Sequence, residues 1–419
     1  MTHIGRRKIY RKSIVAGKVL SKFETPCYLV DEAEFRRGVD GFRSALRERF
    51  ERVTIGYSVK TNSLPYSLML ARACGCKAEV VSEDEYRLAR LCGYAPGEII
   101  YNGPMKSETT FLEAVKGGGM VNIETKRELK WLEGLPKNGE YKVGLRLNIN
   151  ISHVSAEDAD GDNDNSRFGF SDETSEFGDA VEAIRMMGNV RLSGLHIHRT
   201  AHSRSPRFYE RSVAYAGVVI RKYGLRLDYL DVGGGYFGIF PNKPTFTDYA
   251  EAIFRGLNAH GLEGLRVVVK PGNALTASPF SFLTEVIDTK RVDEETYIAT
   301  TDGSRNDVDP FFHKSDYLKE VLYDGAGREC ERKQVVCGCT CLEYDRLFTL
   351  TDKPRLEVGD RILYKNVGAY TMTLSPLFIR LFPRVYAIGS NGEAKEVRAA
   401  WTAEDMLAGS RVNNKIENI

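Results

Sequence analysis

The sequence predicts an α/β protein, a (β/α)8 barrel of parallel strands followed by a mostly antiparallel β domain. Three observations carry this. Over residues 26–275, short β-rich runs alternate with helix-like runs in about eight repeats, the rhythm of parallel βαβ units closing on themselves. Beyond about residue 276 the strand-like runs continue while helical stretches nearly vanish. At 419 residues the chain is too long for one ordinary domain and suited to two. The expected division is a barrel over 26–275 and a β domain of 276–419 joined by 1–25. An open doubly wound sheet is the structural alternative.

The barrel strands are expected, in order, at CYLVD (27–31), RVTIGYSVK (52–60), CKAEVV (76–81), EIIYNG (98–103) and GMVNIE (119–124). They continue with KVGLRLNI (142–149), LSGLHIH (192–198), LDYLDVGG (227–234) and RVVVKPG (266–272). Between them lie amphipathic stretches such as SLPYSLMLARAC (63–74), EDEYRLARLCG (83–93) and TDYAEAIFRGLNAHG (247–261). In the second domain, FLTEVIDTKR, ETYIATTDG, KQVVCGCTC, DRILYKNVGAY and RVYAIG read as strands.

Composition narrows the function classes. Hydrophobic content of 42% and charged content of 28% are those of a globular protein. No stretch reaches the ~18 uncharged apolar residues of a membrane span. The basic start MTHIGRRKIYRKS is not followed by an apolar run, so no secretory signal is expected and the location is read as cytoplasmic. A net charge of +2 argues for neither nucleic acid nor membrane as partner. The eight cysteines (27, 74, 76, 92, 330, 337, 339 and 341) are expected as reduced thiols. C-x-C-x-C at 337–341 lacks zinc-knuckle spacing, and no metal is expected; as a strand, the segment would put its three sulfurs on one face. The acidic SAEDADGDNDNS (155–166) lacks the closing Glu of a calcium loop.

In a parallel barrel, catalytic groups sit where strands end. Lys60, Asn102, His198 and the run Gly233-Gly234-Gly235 all fall there. Singly, each has a bland structural explanation. Together they supply what pyridoxal 5′-phosphate (PLP) requires: an amine for a Schiff base, a flat side chain for the pyridine ring, and a glycine turn exposing N–H groups to a phosphate.

YSVKTN (57–62) resembles the YAVKAN-type segment of fold-type III PLP decarboxylases. CKAEVVSEDEYRLARLCGYAPGEIIYNGPMKS (76–107), VNIETKREL (121–129), LRLNI (145–149), SRFGF (166–170), GLHIH (194–198) and LDVGGGYFG (230–238) follow in that family's order. So do KPGNAL (270–275), TDGSRND (301–307), CGCTCLEYDRL (337–347) and VGAYTMTLS (367–375). The likeness spans roughly 25–380 and points to the diaminopimelate and ornithine decarboxylases, with the alanine racemase-like fold. It implies that Lys60 holds PLP and His198 stacks on its ring. Gly233, Gly234, Gly235 and Gly272 would contact the phosphate, with the Tyr370 hydroxyl. Glu79 and Arg146 match polar positions near the ring and its lysine. Cys341 matches a cysteine that a second subunit inserts into the site as candidate acid, so a homodimer with shared active sites is expected. The implied activity is decarboxylation of an amino acid.

Three single positions and one five-residue stretch depart from the family pattern. Lys270 and Asn273 stand in KPGN where the family has E-P-G-R. An ammonium at ~4 Å from the pyridine nitrogen would disfavour its proton by ~1–4 kcal/mol, weakening the ring as an electron sink. Asn273 removes a charge-assisted phosphate contact of ~1.5–3 kcal/mol, which Arg199 or Arg204 of the basic loop HRTAHSRSPR (198–207) would replace. Leu342 takes the place of an acidic residue, with Glu343 one place later. Asp309-Pro310-Phe311-Phe312-His313 replaces the R-P-x-x-Y stretch. The expected substrate is therefore a non-standard amino acid or an amino-acid conjugate. Racemisation, epimerisation or elimination, and a catalytically degenerate PLP binder, are the alternatives.

Overall fold

The computed structural model describes residues 20–159, 166–199 and 201–409. The basic segment 1–19, the acidic 160–165 and Thr200 of the basic loop, all of which figure in the sequence expectations, lie outside the described residues.

Strand β1 (Cys27–Asp31) comes first, followed by β2 (Val53–Ser58), β3 (Lys77–Ser82), β4 (Ile99–Met105), β5 (Met120–Ile123) and β6 (Tyr141–Asn148). After the two-residue β7 (Phe170–Ser171) come β8 (Val190–Ile197), β9 (Tyr229–Gly233) and β10 (Arg266–Val269). Pairing runs β2, β3, β4, β5, β6, β8, β9, β10 and back to β2, always parallel, so eight strands close a barrel. β7 adds only to the edge of β6. The unit comprises Glu34–Pro279 with Gly368–Leu374.

Two glycines show how the barrel interior is filled. The Tyr229 ring crosses it over Gly144 and Gly194; a Cβ at Gly194 would lie 1.9 Å from the ring, and one at Gly144 2.4 Å from its hydroxyl. Several helices begin with a Ser or Thr side chain accepting a backbone N–H: Ser82 from Glu85, Ser107 from Thr110, Thr125 from Glu128, Ser205 from Phe208 and Thr245 from Asp248. Such caps fix where each strand-to-helix loop ends, and therefore where the strand-end residues stand.

The other unit is a sheet of β11 (Phe280–Arg291), β12 (Thr296–Thr301), β13 (Lys319–Leu322), β14 (Cys330–Cys337), β15 (Arg346–Pro354), β16 (Arg361–Lys365), β17 (Arg384–Ile388) and β18 (Ala394–Arg398), together with β1. Among the described residues only β1–β17 and β12–β14 pair parallel. The segment CYLVD thus corrects the sequence expectation. It lies between β11 and β17, not in the barrel. Its Cys27 and Leu29 bury against Leu283, Leu363 and Ile388. A short apolar strand buried on both faces reads alike in either sheet.

The cysteine run is also corrected. β14 ends at Cys337, and Cys339 and Cys341 lie in the turn to β15. Asp345 organises that turn, accepting from the Thr340 N–H (3.1 Å), the Thr340 hydroxyl (2.6 Å) and the Arg305 N–H (2.8 Å). Gly338 leaves room for this carboxylate, since a Cβ there would stand 2.3 Å from it. The three sulfurs therefore do not share a strand face. All eight cysteines are free thiols. No helix among the described residues is long and apolar enough to cross a membrane.

Candidate active site at the carboxyl ends of the barrel strands

Lys60 lies in a single 3₁₀ turn, Val59–Thr61, directly after β2. Its ammonium is 3.7 Å from Glu79 Oε1, and its side chain is 42% exposed while that of Glu79 is 1% exposed. Glu79 comes from β3 and accepts from the Ser58 hydroxyl (2.5 Å) and Asn102 Nδ2 (3.1 Å). Burial pushes its carboxyl up, but Lys60, Lys270 and these hydrogen bonds outweigh burial and hold it below the usual carboxylate range. Glu79 is therefore an anion fixed beside an accessible amine.

The turn carrying Lys60 is held from a distant part of the sequence. Tyr370 donates its N–H to the Thr61 carbonyl at 2.7 Å, and Asn62 Nδ2 donates to the Gly368 carbonyl at 2.9 Å. Tyr370 has a φ of 69°. This left-handed backbone costs a bulky residue free energy, and the surrounding contacts over-determine it.

His198 follows β8 and is half-buried. Its Nδ1 accepts from the Gly234 N–H at 3.3 Å. Burial, then Lys60 and Arg146, hold its imidazole well below the usual histidine range. It is thus a flat, neutral ring. His196 stands parallel to it, with centroids 6.4 Å apart and planes at 3°. Arg146 of β6 donates to Glu124 Oε2 (2.7 Å) and to the His198 carbonyl (3.1 Å). It fixes the backbone that carries the imidazole.

Lys270 is buried and is not left as a lone cation. It pairs with Asp231 of β9 and lies 3.1 Å from His196 Nε2. Asp231 also accepts from the Gly233 N–H (3.0 Å) and Asn122 Nδ2 (3.3 Å). The glycine run is bent by Gly233 and Gly235, with φ of 84° and 95°. The backbone donors are unequally available. Gly233 gives its N–H to Asp231 and Gly272 gives its to the Lys270 carbonyl at 2.9 Å. The Gly235 N–H has no partner among the described residues. Asn273 is exposed in the short helix Gly272–Thr276. Arg204 lays its guanidinium over the ring of Phe237, just beyond the glycine run, at 5.3 Å from the centroid.

Sequence reasoning missed Asp231, His196, Asn122 and Ser58. A signal existed: an acid within the apolar strand YLDVG is tolerated only when partnered. His196 shares a strand face with His198 by alternation. Cys341, the remaining expected site residue, is exposed at the tip of the β14–β15 turn in the other unit.

The donor set fits an aldehyde cofactor bearing a ring and a phosphate. An accessible amine stands beside a fixed anion, a neutral imidazole stands at another strand end, and a bent glycine turn offers an N–H without a partner among the described residues. This is the equipment of barrel enzymes that bind their cofactor through lysine. Residues 35–277, more than half the chain, match the family model described as the pyridoxal-dependent decarboxylase, pyridoxal binding domain. The chain belongs to this family; it is a PLP-dependent amino-acid decarboxylase.

Known relatives are similar in sequence, and a solved structure is similar in fold. The chain is 26% identical over 394 residues to a probable chloroplastic diaminopimelate decarboxylase of Oryza sativa subsp. japonica, covering 91% of this chain and 79% of that protein. It is 26% identical over 414 residues to the L-glutamyl-[BtrI acyl-carrier protein] decarboxylase of Niallia circulans, covering 92% and 94%. In fold it is similar to the diaminopimelate decarboxylase of M. jannaschii in complex with L-lysine, with a TM-score of 0.83, 21% identity and coverage of 95% and 94%.

Proposed function

We propose that this decarboxylase acts on a non-standard amino acid or an amino-acid conjugate. The carrying observation is what occupies the positions expected to read the far end of a diamino acid. Asp309, which opens DPFFH, accepts from the Lys314 N–H (2.8 Å), the His313 N–H (3.3 Å) and Arg305 Nη2 (3.3 Å). Its charge is spent on its own loop. Glu343, next to Leu342, is exposed in the turn after Cys341. The Niallia circulans relative, whose substrate is a glutamyl unit on a carrier protein, supports the conjugate reading.

PLP bound at Lys60 supplies an electron sink that lets the α-carboxylate leave as carbon dioxide. The chain's residues prepare and protect that event. Glu79 keeps the Lys60 amine oriented. His198 presents a neutral ring face, and Arg146 with Glu124 holds that ring's backbone in place. The glycine run with Gly235, and the Tyr370 hydroxyl, hold the phosphate; Arg204 or Arg199 supplies the positive charge that Asn273 lacks. In the proposed homodimer, Cys341 of the partner subunit donates its Sγ proton to the carbon that lost the carboxylate.

The test measures carbon dioxide release by the holoenzyme from diaminopimelate, ornithine and arginine, and from a glutamyl unit on an acyl-carrier protein. The reading expects a higher kcat/KM for the conjugate. Efficient turnover of a free diamino acid alone would overturn it. Solvent deuterium entering the α-carbon without carbon dioxide would instead favour epimerisation, the reaction Lys270 motivates.

A further inference from the structure

The amino-terminal mouth of the barrel holds a cavity of about 570 Å³, at the opposite ends of the strands that carry Lys60, Gly233 and Lys270. Its lining includes Arg52, Lys77, Lys142 and Arg266, against one carboxylate, Asp228. That carboxylate is already committed, to Lys142 at 3.1 Å and to Arg191. Among the described residues the other three cations form no ion pair within 4 Å and hydrogen-bond to neutral oxygens. Arg52 donates to the Gly264 carbonyl, Lys77 to the Gly97 carbonyl, and Arg266 to the Thr54 hydroxyl at 3.5 Å. Glu98, the other carboxylate acting on Lys77, is itself bound by Arg72 at 3.4 Å and by the Ala95 N–H at 2.8 Å. Burial lowers the Lys77 ammonium from its ordinary range; Glu98 opposes this and Arg266 adds to it.

Two guanidinium forks and an ammonium therefore line one cavity without a matching anion among the described residues. The lining is otherwise polar or backbone, apart from Met120 and Tyr229, which disfavours an apolar ligand. Guanidinium forks match phosphate oxygens bidentately, and the volume exceeds what one phosphate needs. We propose that this mouth is a binding site for a small anion carrying a diphosphate, separate from the cofactor's own phosphate contacts at the other end of the barrel.

The test uses holoenzyme whose cofactor has been fixed by borohydride, so that the phosphate contacts beyond Gly233 stay filled. Pyrophosphate binding is measured by calorimetry. One saturable site per chain is expected, weakened about tenfold or more in Arg52→Gln/Arg266→Gln, because each lost contact is charge-assisted. The charge-matched control Lys353→Gln/Lys395→Gln, both exposed in the other unit, should bind as the parent does. Should the double variant not fold, Arg266→Lys keeps the charge, loses the fork and is expected to bind more weakly. ADP binding as tightly as pyrophosphate would assign the site to nucleotides, and exclusion of ADP would assign it to free phosphates. Absence of saturable binding, or equal loss in the control pair, would overturn the proposal.

Discussion

Removing either partner of the Lys270–Asp231 pair should be far worse than removing both. Their side chains are 4% and 0% exposed, so each single change strands a charge inside the barrel. Breaking a buried pair from one side costs about 3–5 kcal/mol, whereas replacing both partners by uncharged groups is often close to neutral. For a unit of this size, roughly 2–4 °C accompany each kcal/mol, so Lys270→Met or Asp231→Asn should lower the midpoint by roughly 6–20 °C. Lys270→Met falls at the lower end. His196, whose proton is disfavoured first by burial and then by the Lys270 charge, gains proton affinity once that charge is gone and partly compensates Asp231. In Lys270→Met/Asp231→Asn most of the loss should return. Asn at 231 retains an acceptor for the Gly233 N–H, which sits 3.0 Å away in the parent. Scanning calorimetry on the four proteins gives the cycle directly. If the two losses simply add in the double variant, the two charges do not balance each other in the barrel.

Two further outcomes follow from the site. Burial, first among its causes, pushes the Glu85 carboxyl up from 4.5 to about 7, against the opposing Val81 N–H and Lys60. The folded state thus binds a proton that the unfolded state releases, so this group's contribution to stability falls as pH rises from about 4.5 to 7, by about 3 kcal/mol in all. Glu85→Gln should remove that slope in urea midpoints taken across the window; an unchanged slope would place the titration elsewhere. At Gly233, φ is 84° and an added Cβ would lie 2.6 Å from His198 Nδ1. Gly233→Ala should cost about 1–3 kcal/mol of backbone strain, tilt the imidazole and weaken PLP binding in an absorbance titration. Parent-like affinity would show that the imidazole's place does not depend on this turn.

The barrel was legible because its signals are local. Strand–helix alternation, and polar residues such as Lys60, Asn102 and His198 where strands end, need only a few neighbouring residues to be read. Partner identity was less legible because it is set by closure. Asp231 meets Lys270 across adjacent strands β9 and β10, and Asn122 meets Asp231 across the interior, separations that periodicity does not encode. The sequence therefore showed Lys270 as a cation out of place but not the acid that balances it. Strand β1 and the cysteine turn are hard to read from sequence for a related reason. Four or five apolar residues do not specify which sheet they join, and the break after Cys337 depends on Asp345, eight residues on.

The proposed function rests on the Lys60 amine, beside Glu79, as the cofactor's attachment point. Borohydride reduction of PLP-loaded protein, followed by proteolysis and mass spectrometry, addresses it most directly. One pyridoxyl adduct per chain is expected, on Lys60, with none on the buried Lys106 or Lys270. An adduct on another lysine, with Lys60 unmodified, would contradict it.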